Sequence, residues 1–211
     1  MYLECHAFVI YRSKECTCKN ERIMSFMNIW HDIKPERIKP DDFIVCVEIE
    51  SGGKVKYELD KDTGMLRLDR ILHTSTHYPA NYGFIPLTYA DDYDPLDVLI
   101  ITTEQIKPMT LVRCYPIGVI TMIDGGRNDE KIIAIPFDDP TYNYYHDINQ
   151  LPKHIFDEMR HFFSVYKSLE GKETAVNEVE GVNAAVNVVA ASIEGYVDKF
   201  IKKKQAPVEL P

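Results

Sequence analysis

The chain has 211 residues, 45% of them apolar and 27% charged, so it is long enough to bury a real core and too apolar to be disordered. Its 24 basic against 33 acidic residues leave a net charge of −9, which excludes generic binding to nucleic acid or anionic membranes, since both need a basic face. An anionic small substrate stays admissible if metal ions reverse the local sign.

Residues 1–23 share no pattern with the rest of the chain. Cys5, His6, Cys16 and Cys18 fit no standard zinc spacing, and the early acid and short apolar run make a poor signal peptide. No stretch reaches the length of a transmembrane helix, so a reducing cytoplasm is expected. Met24 and Met27 offer alternative translation starts. Residues 1–40 are expected to form an N-terminal extension or arm, partly disordered. Within it, Phe26, Ile29, Trp30 and Ile33 suggest packing that Pro35 and Pro40 interrupt.

From Phe43 the period changes to two. Phe43 to Glu50 reads as a strand, Gly52-Gly53 as a turn, and Val55 to Leu59 alternates so that Lys56 and Glu58 share one face. Asp62-Thr63-Gly64 turns the chain into a strand over 65–71. Further strands are expected at 97–102, 111–122 and 131–136, with a Gly-Gly loop at 125–126. Cys46 and Cys114 fall in these apolar runs and read as buried free thiols. Pro152 opens a helix whose apolar residues recur at helical spacing until Gly171 stops it, and a second helix is expected from Asn183 to about Lys203. The fold class is mainly β with helices (α+β): an OB-like five-stranded barrel over residues 41–204, packed by two C-terminal helices, with a tail at 205–211.

The densest chemistry is Asp92-Tyr93-Asp94-Pro95-Leu96-Asp97. Three carboxylates this close repel, and a hard cation such as Mg²⁺ would relieve them. An EF-hand is excluded, because counting from Asp92 places Asp97 and Thr103 where that loop needs Gly and Glu. A solvated turn is the competing reading, and locally the two are comparable. In an extended strand Asp97 would oppose Asp92 and Asp94 unless Pro95 kinks the chain. Distant residues favour a site: Asp124 and Asp129 bracket a glycine loop, Lys131 comes two residues later, and Lys56 with Glu58 adds a same-face pair. Taken singly, Glu48, Lys56, Glu58, Arg70 and Lys167 read as solvated, and Tyr78, Tyr82 and Tyr166 as core aromatics. Together they supply hard oxygen ligands and phosphate-sized cations, as metal-assisted phosphoryl transfer requires.

In their order along the chain, Glu48, Lys56-Tyr57-Glu58, Arg70, Tyr78-Pro79-Ala80-Asn81-Tyr82-Gly83, Asp92-x-Asp94-Pro95-x-Asp97, Asp124, Asp129-x-Lys131 and Tyr166-Lys167 resemble the soluble inorganic pyrophosphatases of the OB-barrel, Mg-dependent family. The resemblance runs from about Asp42 to Lys204, and the length is that of the short prokaryotic-type members, typically hexamers. It implies hydrolysis of pyrophosphate to two phosphates by a metal-activated water, with several Mg²⁺ ions per site and no nucleic-acid or membrane partner. It implies that Asp92, Asp97 and Asp129 hold an activating metal, that Asp124 and Asp129 hold a substrate-borne one, and that Glu58 holds a further ion. Asp94 falls at the general base and Glu48 acts through water. Lys56, Arg70, Tyr82, Lys131, Tyr166 and Lys167 face phosphate, with Tyr78 supporting. Two departures stand out: Gly125 where members often carry an acid, and Val165 one turn after His161, at a position tied to the trimer–trimer contact. An OB-barrel oligonucleotide module, a degenerate regulatory relative and a different phosphoanhydride substrate are the alternatives. Phosphate release with Mg²⁺ titrated separates them.

Overall fold

The computed structural model describes residues 28–202, so the alternative starts and Cys5, His6, Cys16 and Cys18 lie outside the described residues. The strands are β1 (Phe43–Ile49), β2 (Val55–Leu59), β3 (Leu66–Ile71), β4 (Asn81–Phe84), β5 (Asp97–Ile100), β6 (Leu111–Asp124), β7 (Arg127–Pro136) and β8 (Thr174–Gly181). Two helices, α1 (Lys153–Val165) and α2 (Val182–Tyr196), flank β8. The main sheet runs β1-β4-β5-β7-β6-β8, and β1 also pairs with β6, which closes five strands into a ring and leaves β8 outside it. The expected five-stranded barrel with two C-terminal helices is the architecture found.

The ring explains why β1 is buried along its whole length rather than on alternate residues. It is hydrogen-bonded on both edges, to β4 and β6, and covered on both faces. Along β5 and β7 the side chains do alternate. Val98, Ile100, Ile132 and Ala134 pack with Ala185 and Val189 of α2 and with Trp30 and Ile33 of the arm. Leu99, Ile133 and Ile135 pack with Phe156, Met159, Phe162 and Phe163 of α1. Those four α1 residues lie three or four apart on one helical stripe, which is why this segment folds as a helix against the sheet.

Two strands were not expected. β4 contains Gly83, where a Cβ would stand 2.0 Å from the Cys46 carbonyl oxygen, so close strand approach excludes any side chain there. β8 occupies the stretch between the two helices and pairs with β6 alone. Helix α1 begins one residue after Pro152 and stops at Val165, short of the expected Gly171. A short 3-10 turn over Ser168–Glu170 comes next, and Gly171 ends it at φ 70°, in the left-handed region. Cys46 and Cys114 are buried and unpaired. No helix among the described residues is long and apolar enough to cross a membrane.

Candidate active site

One cleft of about 360 Å³ opens at the end of the barrel, and every site residue expected from the sequence lines it except Arg70. They arrive on several different elements. Glu48 comes from β1, Lys56 and Glu58 from β2, Tyr82 from β4 and Asp97 from the first position of β5. Asp124 ends β6, Asp129 and Lys131 share a face of β7, and Tyr166 and Lys167 follow α1. Asp92 and Asp94 sit in the turn before β5. Tyr93 there takes φ 76°, and the Asp94 amide donates to Asp92 Oδ1 at 3.1 Å. A turn at 91–94, then Pro95 and the start of β5, brings all three aspartates to one cleft.

The inner wall is set by backbone register. β5 and β7 pair in parallel with Asp97 opposite Lys131. The Lys131 ammonium, 2% exposed as a residue, therefore donates to Asp97 Oδ2 at 2.6 Å and to Asp129 Oδ1 at 2.7 Å. It also lies 5.6 Å and 5.4 Å from the ring centroids of Tyr82 and Phe163. Burial alone would lower its pKa, but the Asp129 and Asp97 carboxylates outweigh that and hold it well above the ordinary lysine value. The Tyr82 hydroxyl donates to Asp97 Oδ2, and its own pKa is pushed up by burial and by that carboxylate.

Crowding shows in the acids. Burial, then the Asp97 charge, raises Asp92 to about 6. Burial and Asp97 also raise Glu48 to about 8, although the Leu59 amide donates to its Oε1 at 2.7 Å. Glu58 behaves in the opposite way. Its partial burial would raise it, but Lys56 Nζ at 2.5 Å and Arg67 Nη2 at 2.8 Å hold it below the ordinary value. Lys167 is ion-paired with Asp124. Burial also raises Tyr78 and Tyr166.

Arg70 stands behind this wall, opposite Lys56 in the β2–β3 register. Its Nε donates to Glu170 Oε1 at 2.9 Å and its Nη1 to Asp69 Oδ2 at 2.5 Å, while Nη2 is buried without a partner. Burial would lower its pKa, but Glu170 and Asp69 reverse the sign, with Tyr166 and Tyr78 contributing in the same direction. The orphaned Nη2 is a donor available to an anion. Sequence reasoning missed Trp30, Asp60, Lys61 and Arg67, which also line the cleft. Lys61 pairs with Asp94 and lies in the turn just after β2, where a charged residue reads as solvated.

Eight acidic side chains line the cleft against five basic ones. The donors are oxygens without cysteine or histidine, and the Asp92 carboxyl is pushed up by burial and then by the Asp97 charge, so the residues fit hard divalent cations. As placed, no three acids or histidines among the described residues converge into one ready coordination set, because Lys131 and Lys167 take up Asp97, Asp129 and Asp124.

Residues 45–197 match the family described as "Inorganic pyrophosphatase". The chain is 46% identical over 189 residues to "Soluble inorganic pyrophosphatase PPA1" of Solanum tuberosum, a match covering 86% of this chain and 90% of the relative. It is 47% identical over 176 residues to "Soluble inorganic pyrophosphatase 2" of Chlamydomonas reinhardtii, covering 83% and 91%. The inorganic pyrophosphatase of Thermus thermophilus superposes with a TM-score of 0.77 at 34% identity, covering 81% of this chain and 99% of that one.

Proposed function

The chain belongs to the inorganic pyrophosphatase family, and on that premise we propose that it hydrolyses pyrophosphate to two phosphates using Mg²⁺. The observation that carries the reading is the cleft itself, with aspartates from a turn, β5, β6 and β7 facing lysines from β2, β7 and the end of α1. Asp92, Asp97, Asp124, Asp129 and Glu58 would hold the cations. When bound, these supply an acidified water and neutralise substrate charge. Asp94, with its side chain 52% exposed at the mouth of the site, takes the proton of the attacking water. The new P–O bond forms on one phosphorus as the bridging P–O bond breaks. The bridging electron pair leaves on the second phosphate, which takes up a proton.

Lys56, Lys131 and Lys167 act as point charges on phosphate oxygens, and Arg70, whose unpartnered Nη2 does not face the cleft as placed, would have to turn toward it to hold one more. The hydroxyls of Tyr82 and Tyr166 donate to the same oxygens, Tyr78 packs beneath Tyr82, and Glu48 acts through water. The catalytic unit is one domain spanning 41–204. The short prokaryotic type is our reading, supported by the Thermus thermophilus enzyme being covered over 99% of its length, whereas the Solanum and Chlamydomonas relatives do not favour a prokaryotic type. The buried, unpaired Cys46 and Cys114 thiols agree with a reducing cytoplasm. His161 is exposed and Val165 half-buried on α1, where a homohexamer contact would form, and light scattering checks that assembly. The activity test is phosphate release from pyrophosphate with Mg²⁺ titrated from zero, for the native chain and Asp94→Asn. No turnover by the native chain ends the reading. Full rate in Asp94→Asn ends the assignment of the base.

A further inference from the structure

The arm at Asn28–Trp30 lies outside the family-matched segment 45–197, yet Trp30 lines the catalytic cleft. Trp30 is 4% exposed and anchored twice to the segment leading into the aspartate turn. Its Nε1–H donates to the Thr88 carbonyl at 2.9 Å, and its own carbonyl accepts the Leu87 amide at 2.9 Å. Thr88 Oγ1 in turn accepts the Leu96 amide at 2.8 Å, so the tryptophan braces both ends of the loop that carries Asp92 and Asp94. The other side of the arm grips Lys61. Asn28 Nδ2 donates to the Lys61 carbonyl at 2.6 Å, the Lys61 ammonium lies 5.4 Å from the Trp30 ring centroid, and it pairs with Asp94.

That pair is exposed, with side chains 47% and 52% accessible. An isolated pair of this kind holds little geometry, because fixing a long lysine costs about what the attraction returns. A ring face and a hydrogen bond at its backbone restrict the lysine beforehand, which reduces that cost. Asp94 also needs such a partner more than its neighbours do. It sits between Asp92 and Asp97 in sequence, and a third free carboxylate beside divalent ions tends to become another ligand. A carboxylate committed to an ion cannot accept the water's proton.

We propose that Asn28 and Trp30 seat Lys61 against Asp94, and that Lys61 is a positioning residue keeping Asp94 a proton acceptor rather than an additional metal ligand. The proposal rests on the assignment of Asp94 as base. Positioned proton transfer is worth roughly 10²–10⁴-fold, so partial misplacement in Lys61→Met is expected to lower kcat about tenfold while KM moves less than about twofold. Mg²⁺ binding without substrate, measured by calorimetry, tightens as Asp94 joins the ligands, and Lys61→Arg restores kcat. Trp30→Ala lowers kcat about threefold alone and causes no further loss in the Lys61→Met background, since residues acting through one contact are not additive. If Trp30→Ala fails to fold, Asn28→Ala takes its place in the cycle.

Unchanged kcat and Mg²⁺ affinity in Lys61→Met overturn the proposal. So does a large rise in KM alone, which would mean that Lys61 binds substrate directly. Additive losses remove the arm from it. Full activity in Asp94→Asn marks failure of the base assignment beneath it, whereas an inactive Asp94→Asn beside a native-like Lys61→Met marks failure of this inference alone.

Discussion

The cleft has two walls of similar composition and different physics. On the inner wall Lys131, Asp97 and Asp129 are placed by the parallel register of β5 and β7, and the ammonium is sealed from solvent. On the outer rim Lys61 and Asp94, and Arg67 and Glu58, meet through long side chains that solvent reaches. A charge held by backbone register in a dry environment is coupled to stability, whereas one held by side chains in water is coupled almost only to function. The two walls are therefore expected to separate when each is mutated.

The largest effect is expected on the inner wall. Lys131→Met leaves the buried Asp129 without its ammonium partner and the part-buried Asp97 with only the Tyr82 hydroxyl. In metal-free protein it should cost about 3–5 kcal/mol in urea unfolding, and activity should fall about 100-fold or more with the loss of a fixed cation. Saturating Mg²⁺ should recover much of the stability, because a divalent ion neutralises the same carboxylates, but not the activity. On the rim, Asp94→Asn should shift unfolding by less than about 1 kcal/mol, as for an exposed pair, while kcat falls about 100-fold. Equal stability losses on the two walls would abolish the distinction.

A pH experiment sharpens it. The Glu48 carboxyl keeps its proton to about 8 in the folded chain, against an ordinary value of 4.5, because it is buried and faces Asp97. Between those values the folded state binds more protons than the unfolded one, so stability falls as pH rises. Asp92 adds a smaller fall between 3.8 and about 6, from burial and then Asp97. Chelated protein should therefore show a falling unfolding midpoint from about pH 5 to about pH 9. Glu48→Gln retains an acceptor for the Leu59 amide and should flatten most of that slope. Parallel curves for the two proteins would place the pH dependence elsewhere.

The barrel was largely legible because alternation in Val55–Leu59 and the apolar run of Phe43–Ile49 are local signals. Strand β4 was not, since four residues with a glycine carry no period and gain strand character only from β1 and β5 on either side. Strand β8 is likewise held by a single neighbour, β6, through a bulged register. The aspartates were legible as a cluster. Their partners were not, because Asp97 meets Lys131 through a parallel register across 34 positions, and Asp94 meets Lys61 through a turn whose lysine looks like any solvated one. Trp30 was legible as part of a packing arm but not as a cleft residue; that place follows from hydrogen bonds to Thr88 and Leu87.

The smallest expected effect lies at Gly125, where the family resemblance leads one to expect an acid. Gly125 follows Asp124 in the loop between β6 and β7 at φ 59°, and an added Cβ there would meet nothing within 4 Å. Space would admit an acid, whereas the left-handed backbone disfavours one by about 1–2 kcal/mol. Gly125→Glu should therefore lower the unfolding midpoint modestly. It should also lower the half-saturating Mg²⁺ for turnover by about two- to threefold, as a further carboxylate joins an exposed part of the site. Gly125→Asn controls for the backbone, since asparagine tolerates this conformation and brings no charge. If both variants shift Mg²⁺ dependence equally, the glycine acts through loop shape. If only the glutamate does, the loop belongs with the rim, where charge changes function and leaves the fold nearly untouched.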